Sequence, residues 1–258
     1  MAKKRKQTKG VEKTATETQA NTIHTPKAWI DDSTLLMQLI FLCAALVLLP
    51  RPTDASTIPD LVNNPKSLFV VLRSEKSLLS VSVGVAIVQT WYGTYLRRQR
   101  IQIEHDFSNK KDNADVEKEK QLNWAVIKGA IAVTVLATFA LQGSIVLLGA
   151  PLFILWRRTL LLSFHLALIT VLPLAWALPT PWQSVWTWKR LLSMFSPNGS
   201  FEKRLVYPLI GGWVGAYVGA SAVLLDWNRD WQRWPVSSAA GTWIGYVLAS
   251  VYAVASAR

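Results

Sequence analysis

"LVYPLIGGWVGAYVGASAVLLDWNRDWQRWPVSSAAGTWIGYVLASVYAVA", residues 205–255, holds two apolar runs and the short link between them. Each run is close to the ~20 helical residues that cross a bilayer core of ~30 Å. Neither alternates apolar with polar residues as a half-buried strand would. Backbone groups in lipid must be satisfied within the protein, so both runs predict helices. The link is of another kind. It gathers Asp226, Arg229, Asp230 and Arg233 with Trp227, Trp231 and Trp234.

Four further apolar runs precede this pair. The six lie at 35–49, 77–96, 129–149, 160–178, 205–225 and 236–255, and none contains Asp, Glu, Lys or Arg. The fold class that follows is all-α, a polytopic membrane protein of six transmembrane helices. Residues 1–33 form a basic, solvated tail ahead of a six-span membrane domain, 34–258. Some 33 polar residues before the first run are too many for the n-region of a standard secretory signal. Residues 97–123 mix seven basic with six acidic side chains and predict a charged, solvated linker. The stretch IVLLGAPLFILW, 145–156, is broken by Gly149 and Pro151. It reads as the end of the third run followed by an interfacial or re-entrant turn.

Composition agrees. Hydrophobic residues make up 51% and charged residues 17% of the 258, with thirteen tryptophans; soluble domains carry about 25% charge. The net charge of +12 belongs to loops and tail rather than to a nucleic-acid surface. With the N-terminus cytosolic, twenty Lys and Arg fall on the cytosolic side and eight opposite, the bias expected of cytoplasmic loops. Both termini then face the cytosol, and the link 226–235 faces the other side. Arg157-Arg158 is the basic pair that runs against this count.

Catalytic chemistry has little to work with. Cys43 is the only cysteine, and His24, His105 and His165 are scattered, so no disulfide or Cys/His metal site is predicted. A phosphotransferase would show clustered Asp residues as oxygen ligands for hard cations, and there are none. No cofactor is expected. His165 is the one ionisable side chain within a run. Intramembrane ionisable groups raise a functional question by default, yet a neutral histidine also serves as a hydrogen-bond partner for a neighbouring helix. Asp226 and Asp230 stand four apart, but Arg229 and Arg233 interleave with them and neutralise them at helical spacing.

Small residues say more. Gly211, Gly215 and Gly219 recur every four residues, and Gly212, Ala216 and Ala220 form a second row. Gly241, Gly245 and Ala249 repeat the interval in the last run. Such rows let helix backbones approach closely. They predict close packing, either between the last two runs or against a partner, and two small faces on the fifth run leave room for both. On a helix, Trp227, Trp231 and Trp234 share one face and the four charges a flank. Pro235 would then open the last run, where a missing N–H costs nothing. That arrangement suits a helix at the headgroup level with its indoles toward lipid.

The link LDWNRDWQRWP, 225–235, followed by a glycine-bearing run, resembles the PIG-F family of GPI-anchor biosynthesis, in which an L-D-W-x-R-x-W-Q-x-W-P loop joins the last two spans. GAPL at 149–152, WKRLLSMFSPNG at 188–199 and GGWVGA at 211–216 match further pieces in the same order. Asp230 stands where the family commonly has proline. The resemblance implies a noncatalytic protein of the endoplasmic-reticulum membrane. It implies that the chain binds and stabilises the large ethanolamine-phosphate transferases that modify the GPI precursor. Asp226, Trp227, Arg229, Trp231, Gln232, Trp234 and Pro235 are then the candidate interface to partner or glycolipid. Gly211, Gly212, Gly215, Gly219, Gly241 and Gly245 are the packing positions. Two other readings stay open at this point: a lipid-linked transferase using His165 or the Asp226/Asp230 pair, and a lipid or solute transporter.

Overall fold

The computed structural model describes residues 32–49, 74–108, 124–150, 153–193, 197, 199–222 and 234–256. Among them are seven helices: α1 Asp32–Leu48, α2 Glu75–Ser108, α3 Trp124–Leu147, α4 Trp156–Ala177, α5 Val185–Ser193, α6 Gly199–Ser221 and α7 Val236–Ala255. Six of them overlie the six apolar runs. α3, α4 and α7 are long and apolar enough to cross a membrane; α1 is apolar but has 17 residues.

α4 is the centre of the bundle. From Leu162 to Leu178 nearly every residue is buried, and the helix packs against α2, α3, α6 and α7. A helix apolar on all sides belongs in such a position. α1 lies against α2, and α6 and α7 form the most intimate pair. The outer surface is also apolar: Ile40, Leu136, Phe139, Val218, Ile244 and Leu248 are each more than 60% exposed. The interior, by contrast, holds Gln38, Ser82, Gln89, His165, Thr170 and Thr242. An apolar outside around a partly polar inside is what a lipid solvent requires, since water would leave the outer faces as large unsatisfied apolar patches.

The helix ends sort into two layers. At one end, Arg158 at the start of α4 meets Glu75 at the start of α2, and Trp234 just before α7 meets Thr159. At the other, Arg204 near the start of α6 pairs with Asp32 at the start of α1, and Lys203 donates to the Ser256 carbonyl at the end of α7. The start of α1 and the end of α7 therefore share one layer. Arg157-Arg158 lies in the same layer as the start of α2.

Three boundaries differ from the sequence reading. The sequence ends the second run at Leu96, but α2 continues for roughly three more turns to Ser108. Arg100–Glu104 at 3.7 Å and Gln102–Asp106 at 3.1 Å support that extension at i,i+4. Polar composition misled here, because charged residues at helical spacing hold a solvated helix. Residues 109–123 lie outside the described residues. α5 is the second difference, a short helix between the fourth and fifth apolar runs. Its Trp188 and Leu191 face the core and its Trp186 the outside. Thirdly, α6 begins at Gly199, one turn and more before Leu205; residues 223–225 lie outside the described residues.

Among the described residues, a turn at Gly149 follows α3. Gly149, at φ +98°, closes it: the Ala150 N–H reaches the Ile145 carbonyl and the Gly149 N–H reaches that of Val146. This is a Schellman stop, which needs the left-handed conformation glycine tolerates, and a proline commonly follows. That is the physical content of the GA in GAPL; Pro151 and Leu152 lie outside the described residues. Phe153 and Ile154 then project from the bundle before α4 begins.

Candidate functional site

Several polar side chains inside the bundle join helices. Gln38 of α1 donates to Gln89 Oε1 of α2 at 2.8 Å and to the Tyr246 hydroxyl of α7 at 2.7 Å. Gln89 donates in turn to the Ile169 carbonyl of α4 at 2.8 Å. That carbonyl would normally receive the N–H of residue 173, but Pro173 has none. The glutamine therefore satisfies a backbone group that an apolar medium would leave costly. Gln142 of α3 receives the Ser163 hydroxyl of α4 at 2.7 Å.

His165 is held on both sides. Trp243 donates its indole N–H to Nε2 at 3.0 Å, and Nδ1 lies 2.9 Å from the Ser82 hydroxyl oxygen. Ser82 itself donates to the Leu78 carbonyl at 2.7 Å. Nε2 must accept, so the proton of the neutral ring sits on Nδ1 and points at Ser82. A second ring proton would put two donors face to face. Neither nitrogen is left for proton transfer to a substrate.

The tryptophans follow the same logic. Trp176 donates to Thr94 at 2.9 Å, Trp213 to Thr170 at 3.1 Å and Trp234 to Thr159 at 3.0 Å. Trp234 is thus turned toward α4 and partly buried against the core, where the sequence reading has it facing lipid. Of the candidate interface, Trp234 and Pro235 are described; Asp226, Trp227, Arg229, Trp231 and Gln232 lie outside the described residues, as does Asp230 of the Asp226/Asp230 pair. Pro235 precedes α7 as its N-cap, one position earlier than expected.

α6 and α7 meet backbone to backbone. A Cβ placed on Gly215 would come within 2.1 Å of the Gly241 oxygen, one on Gly219 within 2.2 Å of the Ser237 oxygen, and one on Gly245 within 2.0 Å of the Gly211 oxygen. Ser238 adds a hydrogen bond to the Ala216 carbonyl at 2.8 Å. Gly212, in the second row, faces α4: its Cβ would meet Thr170 Cγ2 at 2.6 Å. Both small rows therefore face helices of this chain. The WKRLLSMFSPNG piece has a local task as well. Trp188 donates to the Pro179 carbonyl at 2.6 Å, and Arg190 forms a two-pronged pair with Glu202 of α6. Hydrogen bonding to Glu202 holds the Arg190 guanidinium above its usual range.

Sequence reasoning singled out His165 but not its partners Ser82 and Trp243, nor the Gln38–Gln89–Tyr246 and Gln142–Ser163 contacts. Pro173 was the available signal, since it leaves the carbonyl four residues earlier in need of a donor. Among the described residues, no three His, Cys, Asp or Glu side chains gather as a metal site.

Among the described residues, these features define an all-helical protein with candidate membrane spans, several of whose interior polar side chains join its own helices. Residues 60–254 match the GPI biosynthesis protein family Pig-F, and the chain belongs to that family. It is 34% identical over 121 residues to glycosylphosphatidylinositol anchor biosynthesis protein 11 of Pyricularia oryzae, covering 47% of this chain and 43% of that protein. It is 36% identical over 128 residues to the protein of the same name from Neurospora crassa, covering 47% and 42%. Against the human GPI ethanolamine phosphate transferase, stabilizing subunit, identity is 34% over 112 residues, covering 43% and 50%. The chain spans about half the length of the curated relatives it matches. No solved structure matches it.

Proposed function

We propose that this chain is a noncatalytic membrane subunit that binds and stabilises the catalytic subunits of GPI ethanolamine-phosphate transferase in the endoplasmic-reticulum membrane. The observation that carries the reading is family membership over residues 60–254, with a human relative named for that stabilising role. The interior supports it. Both ring nitrogens of His165 are engaged, which weighs against a transferase built on that residue.

The proposed arrangement has six helices crossing the bilayer, α1 to α4, α6 and α7, with both termini cytosolic. The basic asymmetry of the loops and the shared layer of the α1 start and the α7 end support it. The link 226–235 then lies on the lumenal side, anchored by Trp234 on Thr159. It offers Asp226, Trp227, Arg229, Trp231 and Gln232 to a transferase subunit or to the glycolipid.

The test is to tag the protein, purify it in mild detergent and identify what accompanies it. A multi-spanning ethanolamine-phosphate transferase in near-stoichiometric amount is expected, and its level should fall when this chain is depleted. Recovery of the chain alone, with the transferase level unchanged on depletion, rules the proposal out. Phosphoethanolamine transfer by the isolated chain would favour the enzyme reading.

A further inference from the structure

An open groove of about 600 Å³ runs between the start of α2, the outer part of α3 and the start of α4. Its walls are apolar: Leu79 of α2, Val135 and Phe139 of α3, and Leu160 and Phe164 of α4. Its rim is charged, with Glu75, Lys76 and Arg157 on one side and Trp156 beside them. The charges do not cancel. Glu75 is paired with Arg158 at 3.4 Å. Lys76 has no hydrogen-bond or ion-pair partner among the described residues, and Arg157 lies only over the Trp156 ring, 5.6 Å from its centre. The rim thus carries two uncompensated cations above an apolar slot.

Depth in the membrane fits that division. α4 is long and apolar enough to span, so its first turn, Trp156 to Arg158, sits at one face of the bilayer. Tryptophan and arginine there are at headgroup level, and Phe139 and Phe164 lie deeper. Both α2 and α4 begin at this rim, and the positive ends of their backbone dipoles add to the field. A molecule that fits needs a negative group at the rim and a hydrocarbon chain below it. A zwitterionic choline headgroup would bring a third cation to the rim; a net-negative phosphodiester headgroup would not.

We infer that this groove holds one anionic glycerophospholipid, its phosphodiester between Lys76 and Arg157 and an acyl chain along Leu79, Phe139 and Phe164. The site lies next to the α4 turn on which Trp234 rests, two residues from Arg157. It stands on the groove alone and is independent of whether the chain partners a transferase.

The full-length protein in membranes is irradiated with a phosphatidylinositol carrying a diazirine in one acyl chain, and in parallel with the matched phosphatidylcholine. Labelled peptides are then mapped. The inositol lipid should label 135–139 and 160–164 well above the choline lipid. The Lys76→Ala/Arg157→Ala double variant should reduce that labelling about tenfold, the scale expected for losing charge-assisted contacts to one phosphate. Labelling of the exposed face of α1 serves as the internal control and should not change. Both substituted side chains are exposed, so the variant should retain its melting temperature; the single Lys76→Gln variant, with an intermediate reduction, covers a double variant that does not fold. Equal labelling by the two lipids overturns the inference, as does labelling spread evenly over all exposed helices or unchanged in the variants. Loss of labelling on adding millimolar inorganic phosphate also overturns it, in favour of a free-anion site. Co-purification of a transferase is read in a separate experiment, and neither result decides the other.

Discussion

Gln89 supplies the hydrogen bond that Pro173 withholds. Its Nε2 donates from α2 to the Ile169 carbonyl of α4 at 2.8 Å, the acceptor that the N–H of residue 173 would have served. A helix break and the polar residue that repairs it are thus placed on different helices, and the repair fixes their register. Hydrogen bonds between membrane helices average ~0.6 kcal/mol and reach ~1–2 kcal/mol.

Gln89→Leu should therefore destabilise the protein by about 1–2 kcal/mol, since Tyr246 and Gln38 lose a partner too. In a Pro173→Ala background the loss should be smaller by at least ~0.5 kcal/mol, because the substituted alanine returns an N–H to the Ile169 carbonyl. Denaturant unfolding of the four proteins in detergent measures this cycle. Strict additivity would show that Gln89 does not compensate for the proline.

The legible part of this molecule is the part dictated by the solvent. Six apolar runs without charge mark six helices, because lipid leaves the backbone few alternatives. The four-residue rows of Gly211, Gly215 and Gly219 against Gly241 and Gly245 mark where two backbones touch, since nothing larger fits. What depends on a distant partner was not legible. Nothing near His165 in sequence points to Ser82 or Trp243, and nothing near Trp234 points to Thr159. The indole of Trp234 suits a headgroup region as well as a threonine hydroxyl, and only packing decides between them. The polar half of α2 was missed because charge density reads alike in a linker and in a solvated helix.

The α6–α7 seam should tolerate no side chain. In Gly215→Leu the new Cβ alone would overlap the Gly241 oxygen at 2.1 Å, so the helices must separate and lose van der Waals contact along the seam. The folded protein, measured by monodisperse yield in detergent, should fall severely. Val218→Leu, on the exposed side of α6, should leave it unchanged. A Gly215→Leu protein with wild-type yield and melting temperature would mean that the two helices do not meet there.

Asp32 and Arg204 tie the start of α1 to the start of α6, with Arg204 only 5% exposed. Asp32→Asn leaves a buried guanidinium without its carboxylate. The cost should be about 2 kcal/mol, below the ~3–5 kcal/mol of a fully buried pair because Asp32 keeps some contact with solvent. Exchanging the two residues, Asp32→Arg with Arg204→Asp, should recover part of that loss. Thermal unfolding reads both variants, and an Asp32→Asn protein as stable as the parent removes the pair from the account.

Orientation can be tested without any partner. Glycosylation acceptors with adequate spacers should be modified in 51–76 and not in 97–123, if the basic loops are cytosolic. The reverse pattern would invert the bundle and place the 226–235 link in the cytosol.

The link itself carries the remaining prediction. Three indoles would suffice to anchor a helix end at the interface, and Trp234 already fixes one end of the link on Thr159. Four interleaved charges are more than anchoring needs, in a chain whose apolar runs carry none. Arg229 is suited to a defined contact, because a guanidinium grips a carboxylate or phosphate through two parallel hydrogen bonds. Arg229→Ala is expected to weaken transferase association or the display of GPI-anchored protein while leaving the chain inserted and at normal level. Trp231→Phe should be milder, since an aromatic ring keeps much of the interfacial preference. If the charges instead form solvated pairs, each contributes only ~0–1 kcal/mol, and Arg229→Ala would leave association and surface GPI-anchored protein unchanged. Co-immunoprecipitation of the transferase, together with surface staining of a GPI-anchored reporter in cells carrying only the variant, separates these outcomes. Unchanged values in both assays would assign the link to anchoring alone.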